Sequence, residues 1–325
     1  MIWGLGAIEP VPLLKWDVKV GRKLLATPPP AATESRYSRL TRLSLAGNKV
    51  DQMSMFATTR ELKAEQWRSG GGAAVAIVRV APDETPIGIS YNDKPHAVLM
   101  ATAQDIEDLV VGFTITESIA QLSDIEDVTV EDKEQGIAVN VVLKPAAEQS
   151  LTLARKRTLE GRSSCGLCGV TKISEAVRAL RSADTGLTVG RHAIQLALQT
   201  LEGGQTLGKA TRATHAAAWA DASGAIRLVR EDVGRHCALD KLIGAALTEG
   251  LDPAEAFIVV TSRCSYEMVE KTAMAGVGLL VAISAPTALA IRKAEEAGLT
   301  LVALARADGH TVFTRPERVV DEVEA

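Results

Sequence analysis

Apolar positions between residues 73 and 143 follow the periods of strands and of one helix. Short runs rich in β-branched and other apolar residues predict strands at 73–80, 86–91, 95–102, 125–130 and 136–143. Helical spacing over 103–118 predicts one helix with Thr102 as its N-cap and an apolar stripe formed by Ile106, Leu109, Val110 and Phe113. The pattern therefore predicts a small α+β unit, which ends in a polar break at 144–150.

The second half of the chain alternates between the two patterns. Helices are predicted at 169–181, 191–202, 237–248, 265–275 and 287–297. Strands are predicted at 213–220, 225–230, 256–261, 279–284 and 300–305. This alternation is typical of an α/β fold, in which helices pack on a layered sheet and ligands bind at loops beyond the strand ends.

Residues 1–72 differ from everything that follows. They show little periodicity, contain three prolines at 28–30 and end in three glycines at 70–72. This composition predicts a poorly ordered N-terminal extension, with translation from Met53 or Met55 as an alternative. We therefore expect three parts: the extension (1–72), the small α+β subdomain (73–150) and the larger α/β domain (151–325).

Composition narrows the class of protein. The net charge of the 325 residues is −4, and the first 70 carry 11 basic and six acidic residues, so an acidic body follows a basic head. That acidic body and the few aromatic residues (3%) disfavour nucleic-acid binding. No apolar run reaches the roughly 20 residues of a membrane helix. The absence of a secretory leader pattern and the presence of only four cysteines favour the cytoplasm.

Two cysteines form a CxxC pair. Cys165 and Cys168 lie in the glycine-rich segment 161–169, just before a predicted helix. A helix N-terminus, or the nearby cations Arg162 and Lys172, would stabilise the thiolate, which is the nucleophilic form of cysteine. The pair therefore indicates sulfur chemistry.

Other interpretations of this pair stay open. A zinc site commonly needs about four ligands, and only His215 and His236 could join the pair through the fold. A thioredoxin-type dithiol is a second alternative, although its CxxC pair would be expected after an early strand of a smaller domain. Two buried, unreactive cysteines are disfavoured by the polar, glycine-rich loop. For Cys237 and Cys264, in contrast, we expect small buried packing residues.

Three polar clusters follow predicted strands in the second half, at 211–215, 230–236 and 261–263. Arginine, histidine and helix-start hydroxyl groups suit phosphate oxygens, so the clusters predict a pocket for a phosphorylated ligand. The alternative is that Asp232, Arg235 and Asp240 form only a local network of ion pairs and helix caps.

Two other segments carry weaker patterns. Residues 203–210 nearly match a phosphate-binding loop, but Ala210 replaces the magnesium-binding hydroxyl and a helix precedes them, so we expect the end of a helix. The turn at 284–287 is expected to join a strand to a helix, with Thr287 as its cap. The five histidines provide neither a His-x-Glu partner for the CxxC nor a His-Glu-x-x-His motif, which disfavours zinc deaminase and metalloprotease chemistry.

Several strings occur in a specific order along the chain. They are Asn92-Asp-Lys-Pro-His96, Met100-Ala-Thr-Ala-Gln-Asp-Ile-Glu-Asp108, Cys165-Gly-Leu-Cys168-Gly-Val, Ala213-Thr-His-Ala-Ala-Ala-Trp-Ala-Asp221, Arg230-Glu-Asp-Val-Gly-Arg-His236, Ala238-Leu-Asp-Lys241, Ser262-Arg263, Ser265-Tyr-Glu-Met268 and Ser284-Ala-Pro-Thr287. Together they resemble the formate dehydrogenase accessory sulfurtransferase family (FdhD/NarQ) from about residue 85 to residue 315. Cys237 and Cys264 depart from the family pattern, which usually has Asn and a small apolar residue there.

The resemblance implies a cytoplasmic maturation factor for molybdenum- or tungsten-dependent formate dehydrogenase. Family members accept sulfur from a cysteine desulfurase as a persulfide on the CxxC and pass it to the metal of bis(molybdopterin guanine dinucleotide). By this likeness Cys165 would carry the persulfide, and Cys168 would assist or receive the sulfur. The implied fold is a cytidine-deaminase-like layered α/β domain preceded by a smaller α+β subdomain, in a homodimer.

Candidate binding residues for this sulfur acceptor come from the polar clusters and, by the resemblance, from the stretch 304–309. They are Thr214, His215, Asp232, Arg235, His236, Ser262, Arg263, Leu304, Ala305, Arg306, Ala307, Asp308 and Gly309. The implied partners are the desulfurase and the formate dehydrogenase apoprotein, without nucleic acid or membrane. Two rival functions are a non-catalytic chaperone that binds the molybdenum cofactor and a zinc-stabilised structural protein.

Overall fold

A four-stranded sheet forms from the first part of the chain. In the computed structural model, which describes residues 56–148 and 180–321, a hairpin of β1 (Thr59–Gln66) and β2 (Val75–Pro82) precedes it. The sheet comprises β3 (Thr85–Tyr91), β4 (Lys94–Ala101), β5 (Ile125–Lys133) and β6 (Gly136–Leu143) in the order β4-β3-β6-β5. Strands β3 and β6 are parallel, whereas the other neighbours are antiparallel. Helix α1 (Ile106–Thr116) shares one apolar core with this sheet.

A six-stranded sheet forms the larger part. After β7 (Val189–Gly190) come β8 (His215–Asp221), β9 (Ile226–Asp232), β10 (Ala256–Val260), β11 (Leu279–Ala282), β12 (Thr300–Arg306) and β13 (Gly309–Val312). Their order is β13-β12-β11-β10-β8-β9, with β10, β11 and β12 parallel and the other pairs antiparallel. Strand β14 (Val319–Val320) pairs separately with β7.

Helices cover both faces of the larger sheet. They are α2 (Arg191–Gly204), α3 (Thr206–Thr211), α4 (Arg235–Thr248), α5 (Tyr266–Met274) and α6 (Ala288–Ala297), with 3₁₀ turns at Leu122–Asp124, Pro253–Glu255 and Pro316–Arg318. Successive residues of each strand point to opposite faces, so Ala217 and Trp219 pack with α4, α5 and α6, whereas Ala216 and Ala218 pack with α2. Within the described ranges, no helix is long and apolar enough to cross a membrane.

Two glycines let α1 and α4 cross at close range and so join the two sheets. A Cβ atom on Gly112 would lie 1.8 Å from the carbonyl oxygen of Asp240, and one on Gly244 would lie 1.9 Å from that of Asp108. Cβ atoms do not approach backbone oxygens to such distances. The contact therefore depends on glycine at both positions.

Most predicted elements are confirmed, with ends shifted by a few residues. Each strand predicted between 73 and 143 and between 213 and 305 is present, as are the helices predicted from residue 191 onward. Thr287 is the N-cap of α6, and its side chain accepts a hydrogen bond from Ala290 N. Cys165, Cys168 and almost all of the helix predicted at 169–181 lie outside the described residues.

Three local predictions are wrong. Strand β1 lies inside the predicted disordered extension, where mostly exposed side chains hide the apolar alternation of a strand. Thr102 does not cap α1, because Asp105 is at the N-cap with a φ of 52° and Thr102 contacts the second sheet instead. The stretch 304–309, which the resemblance places after the last long strand, begins inside it, since Leu304, Ala305 and Arg306 belong to β12.

Replacing Gly112 by Ala should destabilise the protein by about 3 kcal/mol, because the new methyl group would force α1 away from α4. Urea unfolding of both proteins measures the difference. Gly203→Ala is the matched control, since nothing lies within 4 Å of its added Cβ. Gly203→Ala should raise the free energy of unfolding by about 1 kcal/mol or less. Equal effects at both positions would contradict the close crossing.

Candidate functional site

The three polar clusters meet at one edge of the six-stranded sheet. His215, the first residue of β8, pairs with Asp232 at the end of β9. On the other side of β8, Thr261 N donates to Ala216 O at 3.0 Å, which places the loop after β10 beside the start of β8. The antiparallel pairing of β8 with both neighbours brings these segments together, although they are far apart in the sequence.

Four basic side chains at this edge form what we call the basic cluster: His215, Arg235, His236 and Arg263. Arg235 and His236 lie in the first turn of α4, and Arg263 follows β10. The charges of Arg235 and Arg263 both help to lower the pKa of His215, and those of Arg235 and His215 help to lower the pKa of His236. The four groups therefore lie within electrostatic range of one another.

Buried polar atoms at this edge have no hydrogen-bond partner within the described part of the chain. They are Arg235 Nε, His236 Nε2 and Ser265 Oγ. Ser265 is also the N-cap of α5, but its side chain makes no capping hydrogen bond. Since most buried polar groups in folded proteins are hydrogen-bonded, these three atoms mark a place where a polar ligand would complete the site.

His236 is neutral at physiological pH. Burial lowers its pKa to about 3, and the nearby charges of Lys271 and Arg235 act in the same direction. Burial is likewise the first cause of the lowered pKa of His215. Neutral imidazoles each offer one donor and one acceptor, so the positive charge of the basic cluster resides on its two arginines.

Asp232 is a support for the loop and does not face a ligand, contrary to the prediction. Its carboxylate is fully buried, lies 2.7 Å from Lys241 Nζ and accepts hydrogen bonds from Gly234 N and Thr102 N. Both carboxylate oxygens are therefore occupied within the protein. An ionised carboxylate also has no hydrogen to donate to an external phosphate, whose oxygens are acceptors.

The local ion-pair network considered as an alternative exists, but its partners are lysines. Asp240 lies 2.9 Å from Lys271 Nζ and accepts a hydrogen bond from Thr116 Oγ1, while Asp232 pairs with Lys241. Arg235 takes no part in these pairs. The positive charge of Arg235 is therefore not neutralised by either of these two aspartates.

Thr214 and Ser262 are also engaged within the protein. Thr214 Oγ1 donates to Glu231 at 3.4 Å, and Ser262 Oγ donates to the carbonyl of Arg263. The buried Glu231 carboxylate further accepts hydrogen bonds from Leu207 N and Gly208 N in the segment that resembled a phosphate loop. Glu231 therefore occupies the backbone amides that a phosphate would need, and the segment is not a phosphate-binding loop. It forms the end of α2 and then α3.

Three residues of the stretch 304–309 line a cavity apart from the basic cluster, whereas its first residues lie at the end of β12. Leu304 N donates to Ser284 O, and the side chain of Ala305 is fully buried. Ala307, Asp308 and Gly309 line a cavity of about 970 Å³ that the first turn of α2, His310 and the turn after β8 also line. No member of the basic cluster lines this cavity. The predicted residues therefore fall into two separate regions.

The prediction that Cys237 and Cys264 are buried packing residues is confirmed. Both are free and buried, and burial raises the pKa of the Cys264 thiol to about 12 and that of Cys237 further. Thiols with such pKa values are not nucleophilic near neutral pH. Among the described residues no group of three or more metal-ligating side chains is assembled.

Ser265 and Lys241 lie beside the predicted polar clusters in the sequence but were not among the candidate binding residues, and Thr102 was predicted only as a helix cap. Ser265 carried a signal, because a serine directly before an amphipathic helix is a common N-cap, and an unused cap hydroxyl is free for a ligand. Thr102 and Lys241 gave no signal, since their contacts join segments about 130 residues apart.

Comparisons with known proteins show the family of the chain. The model of the FdhD/NarQ family matches residues 82–320. The chain belongs to this family. The sulfur carrier protein FdhD of Cupriavidus necator is 43% identical over 275 residues, which cover 83% of this chain and 91% of that protein. The protein of the same name from Bordetella petrii is 42% identical over 249 residues, or 76% of this chain and 89% of its relative.

A solved structure supports the fold. The crystal structure of a formate dehydrogenase accessory protein from Desulfotalea psychrophila superimposes with a TM-score of 0.62 at 22% sequence identity. The alignment covers 81% of this chain and all of that chain. The mixed α/β architecture of the FdhD/NarQ family is therefore shared. By its sequence number, the CxxC pair also lies within the residues that the family model matches.

When the pH is lowered from about 7.5 to about 5, the free energy of unfolding of the unsubstituted protein should fall by about 2 kcal/mol more than that of the His236→Asn variant. His236 has a pKa of about 3 when folded and 6.5 as its ordinary value, so below pH 6.5 the unfolded chain binds the proton more tightly. This stability is present above pH 6.5 and is lost as the pH falls towards the folded value. Urea unfolding at both pH values measures the loss.

His192→Asn is the control for this pH dependence, because His192 is exposed at the start of α2 and lies outside the basic cluster. It should retain the full acid sensitivity. The burial assigned to His236 would be refuted by equal acid sensitivity in His236→Asn and the unsubstituted protein.

Proposed function

We propose that this chain is a sulfur carrier that transfers persulfide sulfur from a cysteine desulfurase to the bis(molybdopterin guanine dinucleotide) cofactor required by formate dehydrogenase. The observation that carries the proposal is the basic cluster, whose buried donors lack partners within the described residues. Membership of a family with members named sulfur carrier protein supports it. The same family span contains Cys165 and Cys168.

The chemistry assigned to the pair is sulfane transfer. The Cys165 thiolate attacks the outer sulfur of the donor persulfide, a new S–S bond forms, and the desulfurase cysteine leaves as a thiolate. Cys165 then carries a persulfide, from which a second nucleophile removes the outer sulfur. By the family resemblance, Cys168 would assist this release or receive the sulfur.

The basic cluster would hold the sulfur acceptor, which is the substrate of the reaction. Arg235 and Arg263 supply charge-assisted donors that match the pyrophosphate groups of a guanine dinucleotide. The unpartnered atoms of His236 and Ser265 add neutral hydrogen-bonding groups at the same edge. The cavity lined by Ala307, Asp308 and Gly309 offers a second place for part of the same molecule. Such positioning would raise the effective concentration of the acceptor near the persulfide.

Further properties follow from the family resemblance and are part of this proposal. They are a cytoplasmic location, a homodimer, contact with the formate dehydrogenase apoprotein, molybdenum or tungsten as the metal, and cytidine-deaminase-like layering of the α/β domain. A non-catalytic cofactor chaperone would share the basic cluster but not the persulfide, so the sulfur adduct distinguishes the two functions.

Incubation with cysteine and a cysteine desulfurase should add about 32 Da, the mass of one sulfur atom, to the peptide that contains Cys165. Cys165→Ala should lose both this adduct and the ability to mature formate dehydrogenase. Mass spectrometry of the peptides and the activity of the matured enzyme provide the readouts. Cys264→Ala is the matched control and should retain the adduct, because that thiol is buried. Normal maturation by Cys165→Ala would refute the carrier role and favour the chaperone.

Arg235→Gln should weaken the binding of guanosine diphosphate, used as a probe, by about tenfold or more, because a charge-assisted contact with phosphate is lost. Isothermal titration calorimetry measures the affinity. Arg227→Gln is the matched control. Arg227 is an exposed arginine on β9 that contacts Asp221 at the opposite end of the β8–β9 pair from the basic cluster. Equal affinities of the two variants would show that the basic cluster is not the phosphate site.

A further inference from the structure

Thr102 reaches from the four-stranded sheet to the loop that precedes α4. It follows β4, and its backbone N–H donates to the Asp232 carboxylate at 3.0 Å. Its hydroxyl oxygen accepts a hydrogen bond from Val233 N at 3.2 Å. A residue of the smaller sheet thus holds two successive residues at the end of β9.

Lys241 closes the same set of contacts. Its Nζ lies 2.7 Å from the Asp232 carboxylate and donates to the carbonyl of Thr102 at 3.0 Å. The side chains of Lys241 and Asp232 and the whole of Thr102 are 0% exposed. The three residues form a closed, fully buried circuit, in which each contact restrains the others.

This circuit determines where α4 begins. Gly234 is the N-cap of α4 and lacks a capping side chain of its own, but Asp232 accepts a hydrogen bond from its backbone N–H at 2.7 Å. With the Val233 amide bound to Thr102, both amides between β9 and α4 are fixed. Arg235 and His236 come directly afterwards, so the directions of their side chains follow from this turn.

We propose that Thr102 and Lys241 are positioning residues, which act through Asp232 to hold Arg235 and His236 of the basic cluster in place. The ligand of that cluster rests on the proposed function, whereas the positioning rests on the contacts alone. The proposal makes the site on the larger sheet dependent on a residue from the smaller one. Such support is typical of sites that must hold charged groups before the ligand arrives.

Thr102→Val tests the proposal, because it removes the hydroxyl acceptor and keeps the shape and the backbone contacts of Thr102. We expect weaker binding of guanosine diphosphate, by about fivefold to tenfold. We also expect the His236 imidazole signal in NMR, unchanged between about pH 7.5 and pH 5 in the unsubstituted protein, to titrate in this range once the turn loosens. Thr102→Ser keeps the hydroxyl and should restore both properties.

Thr114→Val is the matched control for lost stability. Thr114 is an equally buried threonine whose hydroxyl bonds to Tyr91 and to the carbonyl of Val110, without contact with the basic cluster. It should leave the His236 titration and the guanosine diphosphate affinity unchanged. The same His236 titration in Thr102→Val and Thr114→Val would overturn the proposal.

Hydrogen exchange in the unsubstituted protein provides a test that needs no variant. The amides of Val233 and Gly234 should exchange at least about 100-fold more slowly than unprotected loop amides. Exchange at the unprotected rate would overturn the positioning role. If the unsubstituted protein does not bind guanosine diphosphate, the proposed ligand fails, while the His236 titration and the exchange rates still decide the positioning role.

Discussion

The buried pair of Asp232 and Lys241 is the interaction on which the candidate site depends. Moving two charges out of water costs several kcal/mol per ion, so such a pair persists only when hydrogen bonds satisfy what remains of both groups. Here Thr102 supplies both a donor and an acceptor, and Gly234 N supplies another donor. The pair therefore fixes the end of β9, the start of α4 and the end of β4 with respect to one another.

The charges of the buried aspartates are balanced within the protein. Two lysines neutralise the two buried aspartates around α4: Lys241 pairs with Asp232, and Lys271 pairs with Asp240. Neither aspartate pairs with Arg235, whose Nε is buried without a hydrogen-bond partner within the described residues. The fold thus satisfies both buried aspartates within the protein, and burial keeps His236 neutral beside Arg235. A preorganised, partly dry site of this kind binds charged groups more strongly than one exposed to water.

The glycine contact between α1 and α4 explains how the two sheets come close enough for this arrangement. Gly112 and Gly244 remove the Cβ atoms that would keep the helix backbones apart. Thr102 lies shortly before α1, and Asp232 lies shortly before α4, so the crossing of the helices brings the two loops together. The close packing of α1 against α4 thereby determines the geometry of the polar residues in the loops that precede these two helices.

The periodicity of the sequence by itself determined most helices and strands that the structure describes from residue 73 onward, but not the short elements β7, β13, β14 and α3, and the motif order determined the family. Both are encoded locally, in the spacing of apolar residues and in short strings such as that around Arg235 and His236. Only the tertiary structure decided which polar side chains are engaged within the protein and which atoms are left without a partner among the described residues. Asp232 and Thr214 looked equivalent to His215 in sequence, but partners within the protein occupy the former two: Lys241 and the distant Thr102 contact Asp232, and Glu231 contacts Thr214. Hydrogen bonds between residues about 130 positions apart leave no periodic trace, because they depend on how the two sheets pack.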